Sequence, residues 1–387
     1  TKFGDVPYTT KVLSIKESMS IARTAKATVI ANVLADLDEV INGNYLPTSY
    51  DADNKGRITR WAAMAIKAKI YLFEGNWTQV KNITSTIMTE GGFKLFGSYA
   101  GLFEIANEYN SEVILDAQYR PTSREHQMMY VFLPPTLGGY SQLSPLQELV
   151  DSYIMLDGKT IKETGTSFDE SHPYANRDPR LKATVMYTGN SYTLADGTEV
   201  VINCEKGEGK DGYGVGSDCS ATGYYIKKYW DNTYRATLYS GLNPILIRYA
   251  DILLMNAEAL AELGELDKTA WDATIKPIRD RAGFTLASAL EFPEGASKDK
   301  LIEIVRNERR SELALEGHRH KDIIRWRIAD NVLNGWCHGL KTNDVVGTDD
   351  GYVRVENRTF NANKHYLWPI PQAERDLNGN LEQNPNW

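Results

Sequence analysis

Two stretches of this chain share one local grammar, and that repetition constrains the fold more than any other feature. In the first, the Ala-rich run Trp61 to Phe73 stops at Gly75, and a second run opens at Trp77 and continues to about Thr89. In the other, Ala257 lies seven residues before Gly264, as Ala68 lies seven before Gly75, and a partner run follows Asp267, a residue type suited to cap a helix. Small residues such as Ala259 and Ala261 let helices approach closely, and glycine ends a helix. From Asp267 to Arg281 the residues Trp271, Ile275, Ile278 and Ala282 fall on one helical stripe. This is the pattern of tetratricopeptide-like helix pairs. About 190 residues separate the two pairs, so a regular solenoid is disfavoured. A mainly α scaffold carrying a large irregular insertion is expected.

The rest of the chain fits that division. Residues 24–90 form an N-terminal helical part, because Ile30, Val33, Leu34, Leu37, Val40 and Ile41 add an amphipathic helix over 25–41 ahead of the first pair. Residues 91–246 read as a loop-rich insertion with short strands at Glu112–Ala117 and Tyr224–Tyr229. Six glycines between Asn203 and Gly223 mark a long loop, and long loops inside compact domains are often functional. Residues 247–330 return to helical pairs, and 331–387 form C-terminal loops and a tail.

Composition removes several function classes. A formal charge of -8 is the opposite of a nucleic-acid footprint. No apolar run reaches the roughly 18 to 20 residues of a spanning helix. The cysteines Cys204, Cys219 and Cys337 make no zinc-like spacing, although Cys204 and Cys219 flank the Gly-rich stretch and could close a disulfide loop worth about 3 kcal/mol. The run Asp51 to Ile58 imitates half of a calcium loop, but Lys55 and Ala62 stand where carboxylates are needed, and it reads as a polar turn. The acidic group Asp344, Asp349 and Asp350 reads as a solvated loop. No metal or cofactor is expected.

Catalysis finds little support. On the helix opening near Ser297, Leu301, Ile304 and Val305 continue in register onto Glu308, Glu312 and Leu315, so two carboxylates lie in line with the buried stripe. Glycoside hydrolysis needs two acids facing each other across about 5 to 9.5 Å. These two sit side by side instead, and Arg309, Arg310 and Arg248 are at hand to neutralise them. Structural ion pairing is the expectation. None of the six histidines forms a metalloprotease motif, and no Gly-x-Ser-x-Gly elbow or phosphate-binding loop occurs.

What the chain has in excess is aromatic residues, 22 of them Tyr. Sugar rings present apolar faces rimmed by hydroxyls, so a site for them needs flat aromatic platforms beside amides and hydroxyls. Trp230, Asn232, Tyr234 and Tyr239, in the less regular stretch after the Tyr224–Tyr229 segment, are the candidate ligand contacts, with Tyr140 in Gly138-Gly139-Tyr140-Ser141 beside them.

Strings spread along the chain carry a likeness to a known family. They include Gly4-Asp5-Val6-Pro7, Gly56-Arg57-Ile58-Thr59-Arg60, Pro145-Leu146-Gln147-Glu148-Leu149, Arg177-Asp178-Pro179-Arg180-Leu181 and Thr222-Gly223-Tyr224-Tyr225-Ile226. Arg248-Tyr249-Ala250-Asp251, Glu308-Arg309-Arg310-Ser311-Glu312, Tyr366-Leu367-Trp368-Pro369 and Asn384-Pro385-Asn386-Trp387 continue the order. Together they resemble the SusD/RagB family of outer-membrane nutrient-binding lipoproteins. The resemblance implies a single helical domain over 1–387, without enzymatic activity, that holds a glycan, or in some members a peptide, for a SusC-like TonB-dependent transporter. A protein-binding adaptor with a tetratricopeptide-like face is the alternative. It also implies surface exposure through an N-terminal lipid anchor, and that the segment carrying the anchor is absent from this chain, because Gly-Asp-Val-Pro begins at residue 4. The matching strings are scaffold, and they carry over no ligand contact.

Overall fold

The structure is a computed structural model that describes residues 2–234 and 237–387; of Tyr234 only the backbone is described. The helix Lys26–Asn42 leads to a hairpin of Arg60–Glu74 and Trp77–Glu90. Thr59 and Asn76 cap the two N-termini through their side chains, and Gly75 ends the first helix at φ 71°. The Tyr249–Leu263 helix ends in the same way, on Gly264 at φ 74°, with Glu265 N–H donating to the Leu260 carbonyl. At both sites a residue with a Cβ would pay for the left-handed backbone, which is why the glycines recur at equal spacing from the alanines.

Although distant in sequence, the two hairpins stack directly on one another. Trp77–Glu90 packs along Tyr249–Leu263, and one apolar cluster joins Trp61, Ala65, Ala68, Val80 and Ile87 to Ile252, Met255 and Ala259. Asn256 crosses this interface and donates to Thr84 Oγ1 at 2.9 Å and Ser85 Oγ at 3.1 Å. The Lys298–Glu312 helix, capped by Ser297 as its sequence predicts, lies on the other flank of Tyr249–Leu263. The long insertion therefore leaves the helical stack and returns to it.

One predicted helix is broken. The stripe from Asp267 to Arg281 divides into Lys268–Ala273 and Ile275–Ala282, with Thr274 at φ -126° and ψ -70° between them. Pro277 is the cause: it lacks an N–H, and its ring conflicts with the carbonyl four residues back, at Ala273. The stripe survives the break, because Trp271, Ile275 and Ile278 are all buried in one cluster.

Small antiparallel sheets occupy the remainder. Val113–Asp116 pairs with Ile245–Arg248, Val185–Met186 with Tyr225–Ile226, and Ser191–Thr193 with Glu199–Val201. Gly335–Lys341, Tyr352–Arg358 and Thr348–Asp349 form a three-stranded sheet. The expected strand Tyr224–Tyr229 contracts to two residues, and Tyr224, Tyr225, Ile226, Lys228 and Tyr229 are buried without alternation. Gly223 precedes it at φ 76°, where a Cβ would stand 1.5 Å from Leu340 Cδ2, so glycine is the residue this junction permits.

Candidate ligand-binding site

The carboxylates that resembled a catalytic pair are the centre of a buried ion network. Arg180 reaches Asp178 at 2.7 Å, Glu308 at 2.7 Å and Glu312 at 2.9 Å. Arg248 reaches Glu312 at 2.6 Å, and Glu112 and Glu316 at 2.7 Å. Arg279 pairs with Glu308, Arg281 with Glu112 and Glu312, and Lys228 with Glu316. Five acids meet five bases. Burial alone would push the Glu312 carboxyl up, but the Arg281, Arg248 and Arg180 charges outweigh it and hold it well below the usual carboxylate range. Glu308 is lowered in the same way by Arg180 and Arg279. Neither acid faces a partner carboxyl across open space, and neither holds a proton to donate near neutrality. A neighbouring group ties Arg309 to Asp251 and Asp322, and Arg325 to Glu258. Of the arginines named from sequence to neutralise Glu308 and Glu312, only Arg248 does so, on Glu312; Arg309 is taken instead by Asp251 and Asp322, and Arg310 makes no ion pair among the described residues and donates to the Glu148 carbonyl.

The aromatic candidates divide into two groups. Tyr140 and Tyr239, about 100 residues apart in sequence, stand in one cluster. A bridge of backbone hydrogen bonds between His126 and Ser240 sets Gln127 beside Tyr239, and Gln127 Nε2 donates to the Tyr239 hydroxyl at 2.6 Å. Gly138 turns the chain so that Tyr140 N–H donates to the Tyr130 carbonyl at 2.9 Å, and the two rings lie 4.5 Å apart with their hydroxyls bonded at 3.1 Å. Tyr140 and Tyr239 remain 38% and 42% exposed. Tyr130 and Gln127 complete this platform, and no local signal in the sequence points to either.

Trp230 is half-buried: its ring lies 5.0 Å from Tyr192 and its Nε1 donates to the Thr193 carbonyl at 3.1 Å. Asn232 opens a short turn, Asn232–Tyr234, and is partly exposed. The Tyr234 side chain lies outside the described residues. The proposed loop closure by Cys204 and Cys219 is not formed. Both are free thiols, because Cys204 is buried in the core beneath the insertion while Cys219 Sγ donates to the Lys210 carbonyl at 3.3 Å. Burial pushes the Cys204 thiol up to about 12.

The Gly-rich loop has the platform on one flank and a cleft on the other. Asp211 Oδ1 accepts from Thr136 N–H at 2.8 Å, next to the turn that carries Tyr140, while Asn203 to Glu208 line a cleft of about 1220 Å³. Stacked rings of Tyr174 and Tyr187, 3.9 Å apart, form part of its wall with Phe168, Tyr224 and Tyr352. Tyr224 donates to Gln147 Oε1 at 2.5 Å, and Arg177 lies over Phe168 at 5.5 Å. These residues come from positions 147 to 352, and sequence reasoning found none of them as a site. The acidic residues near the rim are engaged: Asp344 with Lys206 at 2.5 Å, and Glu170 with Lys341 at 2.9 Å. In the predicted calcium-like turn, Asp51 accepts from Asn54 N–H and acts as a cap.

A helical stack carrying an insertion with exposed aromatic surfaces, with Glu308 and Glu312 held in internal ion pairs, defines the structural class of this chain. Comparison with known proteins gives the class a family. The SusD family model matches residues 102–387, and the chain belongs to that family. A SusD-like protein of Formosa agariphila is 28% identical over 86% of this chain and 61% of its own length, and a second from the same organism is 26% identical over 99% and 69%. The chain thus spans about three fifths of the first of these relatives. Among solved structures, a SusD-like carbohydrate binding protein from Bacteroides fragilis superposes with a TM-score of 0.86 at 29% identity, covering 98% of this chain and 76% of that one. Another SusD-like protein from Bacteroides fragilis gives 0.83 at 28% identity, with 100% and 76% covered. No helix among the described residues is long and apolar enough to cross a membrane.

Proposed function

We propose that this protein is a non-catalytic capture protein for glycans at the cell surface, handing them to a SusC-like TonB-dependent transporter in the outer membrane. The observation that carries the reading is the open cluster of Tyr130, Tyr140 and Tyr239 with Gln127, phenol rings and an amide gathered on one exposed face. Stacking on such rings captures the apolar face of a sugar, and the hydroxyl and amide groups meet its rim. Family membership and the carbohydrate-binding relative support it. Trp230, Asn232 and Tyr234 belong to the same insertion and are proposed as flanking contacts.

The test is calorimetric titration against a panel of neutral oligosaccharides and of peptides. Tyr140→Ala and Tyr239→Ala are expected to weaken glycan binding by about tenfold each, roughly the worth of one aromatic contact. Tyr187→Ala serves as the control in the cleft. Loss of binding in Tyr187→Ala alone would move the site to the cleft, and binding of peptides without glycans would replace the ligand class. Co-purification with an outer-membrane transporter tests the delivery step.

A further inference from the structure

Away from the aromatic insertion, a second cavity of about 300 Å³ opens where the end of the Lys298–Glu312 helix meets the Arg319–Arg325 helix and the strand Gly335–Lys341. Its interior is apolar: Leu146, Leu313, Ile323, Trp326 and Leu333 line it, with Trp336 on the rim. Four arginines stand in its wall, Arg309, Arg310, Arg319 and Arg358, and two of them, Arg310 and Arg319, form no ion pair among the described residues. Arg310 spends a guanidinium N–H on the Glu148 carbonyl, and Arg319 makes no side-chain hydrogen bond or ion pair with the described residues. Every other arginine at this junction is neutralised: Arg309 by Asp251 and Asp322, Arg325 by Glu258, and Arg358 by Glu356 at 2.8 Å. The Glu148 carboxylate, in the same wall, is bound at 2.8 Å by His338 Nδ1. Burial first, and the Arg319 charge second, lower the Arg310 pKa to about 10. The Asp322 carboxylate that attracts Arg319 is already bound by Arg309 and Arg325, so two like charges stand together here against an apolar hole.

We propose that this cavity is a binding site for a small amphipathic carboxylate, its apolar body among Leu313, Ile323, Trp326 and Leu333 and its head between Arg310 and Arg319. Guanidinium groups recognise carboxylates with paired, charge-assisted hydrogen bonds, and a second cation in reach raises that selectivity. Size bounds the ligand. A cavity of about 150 Å³ holds benzene, so about 300 Å³ accommodates a body of roughly twice that size, as in octanoate or 3-phenylpropionate. The proposal is independent of glycan capture, because none of these residues belongs to the platform or the cleft.

The experiment is titration of the intact protein with octanoate, 3-phenylpropionate and the neutral octanamide, followed by calorimetry and by ligand-observed NMR. Both acids are expected to bind, with octanamide weaker by about tenfold, the loss of one charge-assisted contact. Arg319→Gln, at a half-exposed position, is expected to weaken the acids by about tenfold and leave octanamide unchanged. Leu333→Trp, which fills the apolar end, is expected to weaken all three. Absence of binding at millimolar acid overturns the proposal, as does equal affinity for acid and amide, or an Arg319→Gln variant that binds the acids as wild type does. A thermal melt of each variant, with the glycan titration as a second check of folding, separates loss of the site from loss of the fold.

Discussion

Replacing Glu312 by Gln tests the reading of the last third of the chain as a clamp. The carboxylate of Glu312 receives Arg248 Nη1 at 2.6 Å, Arg180 Nη1 at 2.9 Å and Arg281 Nη2, all in the interior. Glutamine keeps the shape, removes the charge and leaves three buried guanidinium groups sharing the remaining carboxylates. Breaking a buried pair from one side costs about 3–5 kcal/mol. For a chain of 387 residues the unfolding entropy is about 0.8 kcal/mol/K, which converts that loss to a fall in Tm of about 4–6 °C. The comparison is Lys268→Ala, which removes an exposed pair with Asp272 at 2.6 Å and is expected to move Tm by about 1 °C or less. Differential scanning calorimetry at pH 7 reads both. The sign with pH follows from the depressed carboxyls: their stabilising contribution is present above their ordinary value of 4.5 and is lost as pH falls towards the folded value. The gap between wild type and Glu312→Gln should therefore narrow in acid. A Glu312→Gln protein that melts within a degree of wild type would refute the clamp. Release of reducing ends from a polysaccharide, abolished by the same change, would return the enzyme reading.

Three further outcomes follow from single positions. Gly223→Ala puts a Cβ into Leu340 at a left-handed backbone position and is expected to cost at least about 1–3 kcal/mol by denaturant titration; a neutral result would mean that the Tyr224 junction is mobile. His318 is lowered to about 4, by burial first and by Arg309 and Lys69 among its neighbours, against an ordinary value of 6.5, and it accepts from Arg309 at 3.4 Å in the neutral form. Because the unfolded chain binds the proton more readily, wild type should lose about 3 kcal/mol between pH 6.5 and 4 relative to His318→Gln, read from urea midpoints across that range. Trp230→Ala removes a half-buried ring from Tyr192 and is expected to cost about 2 kcal/mol, against about 0.5 or less for Tyr140→Ala at the surface; equal stabilities in the two variants would show that Trp230 packs no better than an exposed ring.

The helices were legible because their signals are local. Thr59, Asn76, Asp267 and Ser297 cap the N-termini that follow them, and Gly75 and Gly264 end their helices in the same backbone state. Even the one broken helix had its cause in view, since Pro277 lies within the stripe that spans the break. The candidate site was legible only by residue type. Tyr140 and Tyr239 carry the chemistry that a sugar platform needs, but their neighbours Tyr130 and Gln127 are brought to them by a chain crossing at His126 and Ser240. The cysteine loop failed for the converse reason: nearness in sequence did not aim two thiols at each other once one of them was drawn into the core.

From its sequence alone this protein was committed to paired helices, a long irregular insertion and an acid-rich helix in need of basic partners, because periodicity, capping and charge all act over a few residues. The tertiary structure decided that the two hairpins touch across the intervening chain of residues 91–248, that Glu308 and Glu312 face Arg180, Arg248, Arg279 and Arg281, and that Arg310 and Arg319 are left over beside an apolar cavity. Those pairings depend on loop closures whose direction no short stretch encodes, so only the packed chain reveals which charges are spent and which remain available for a ligand.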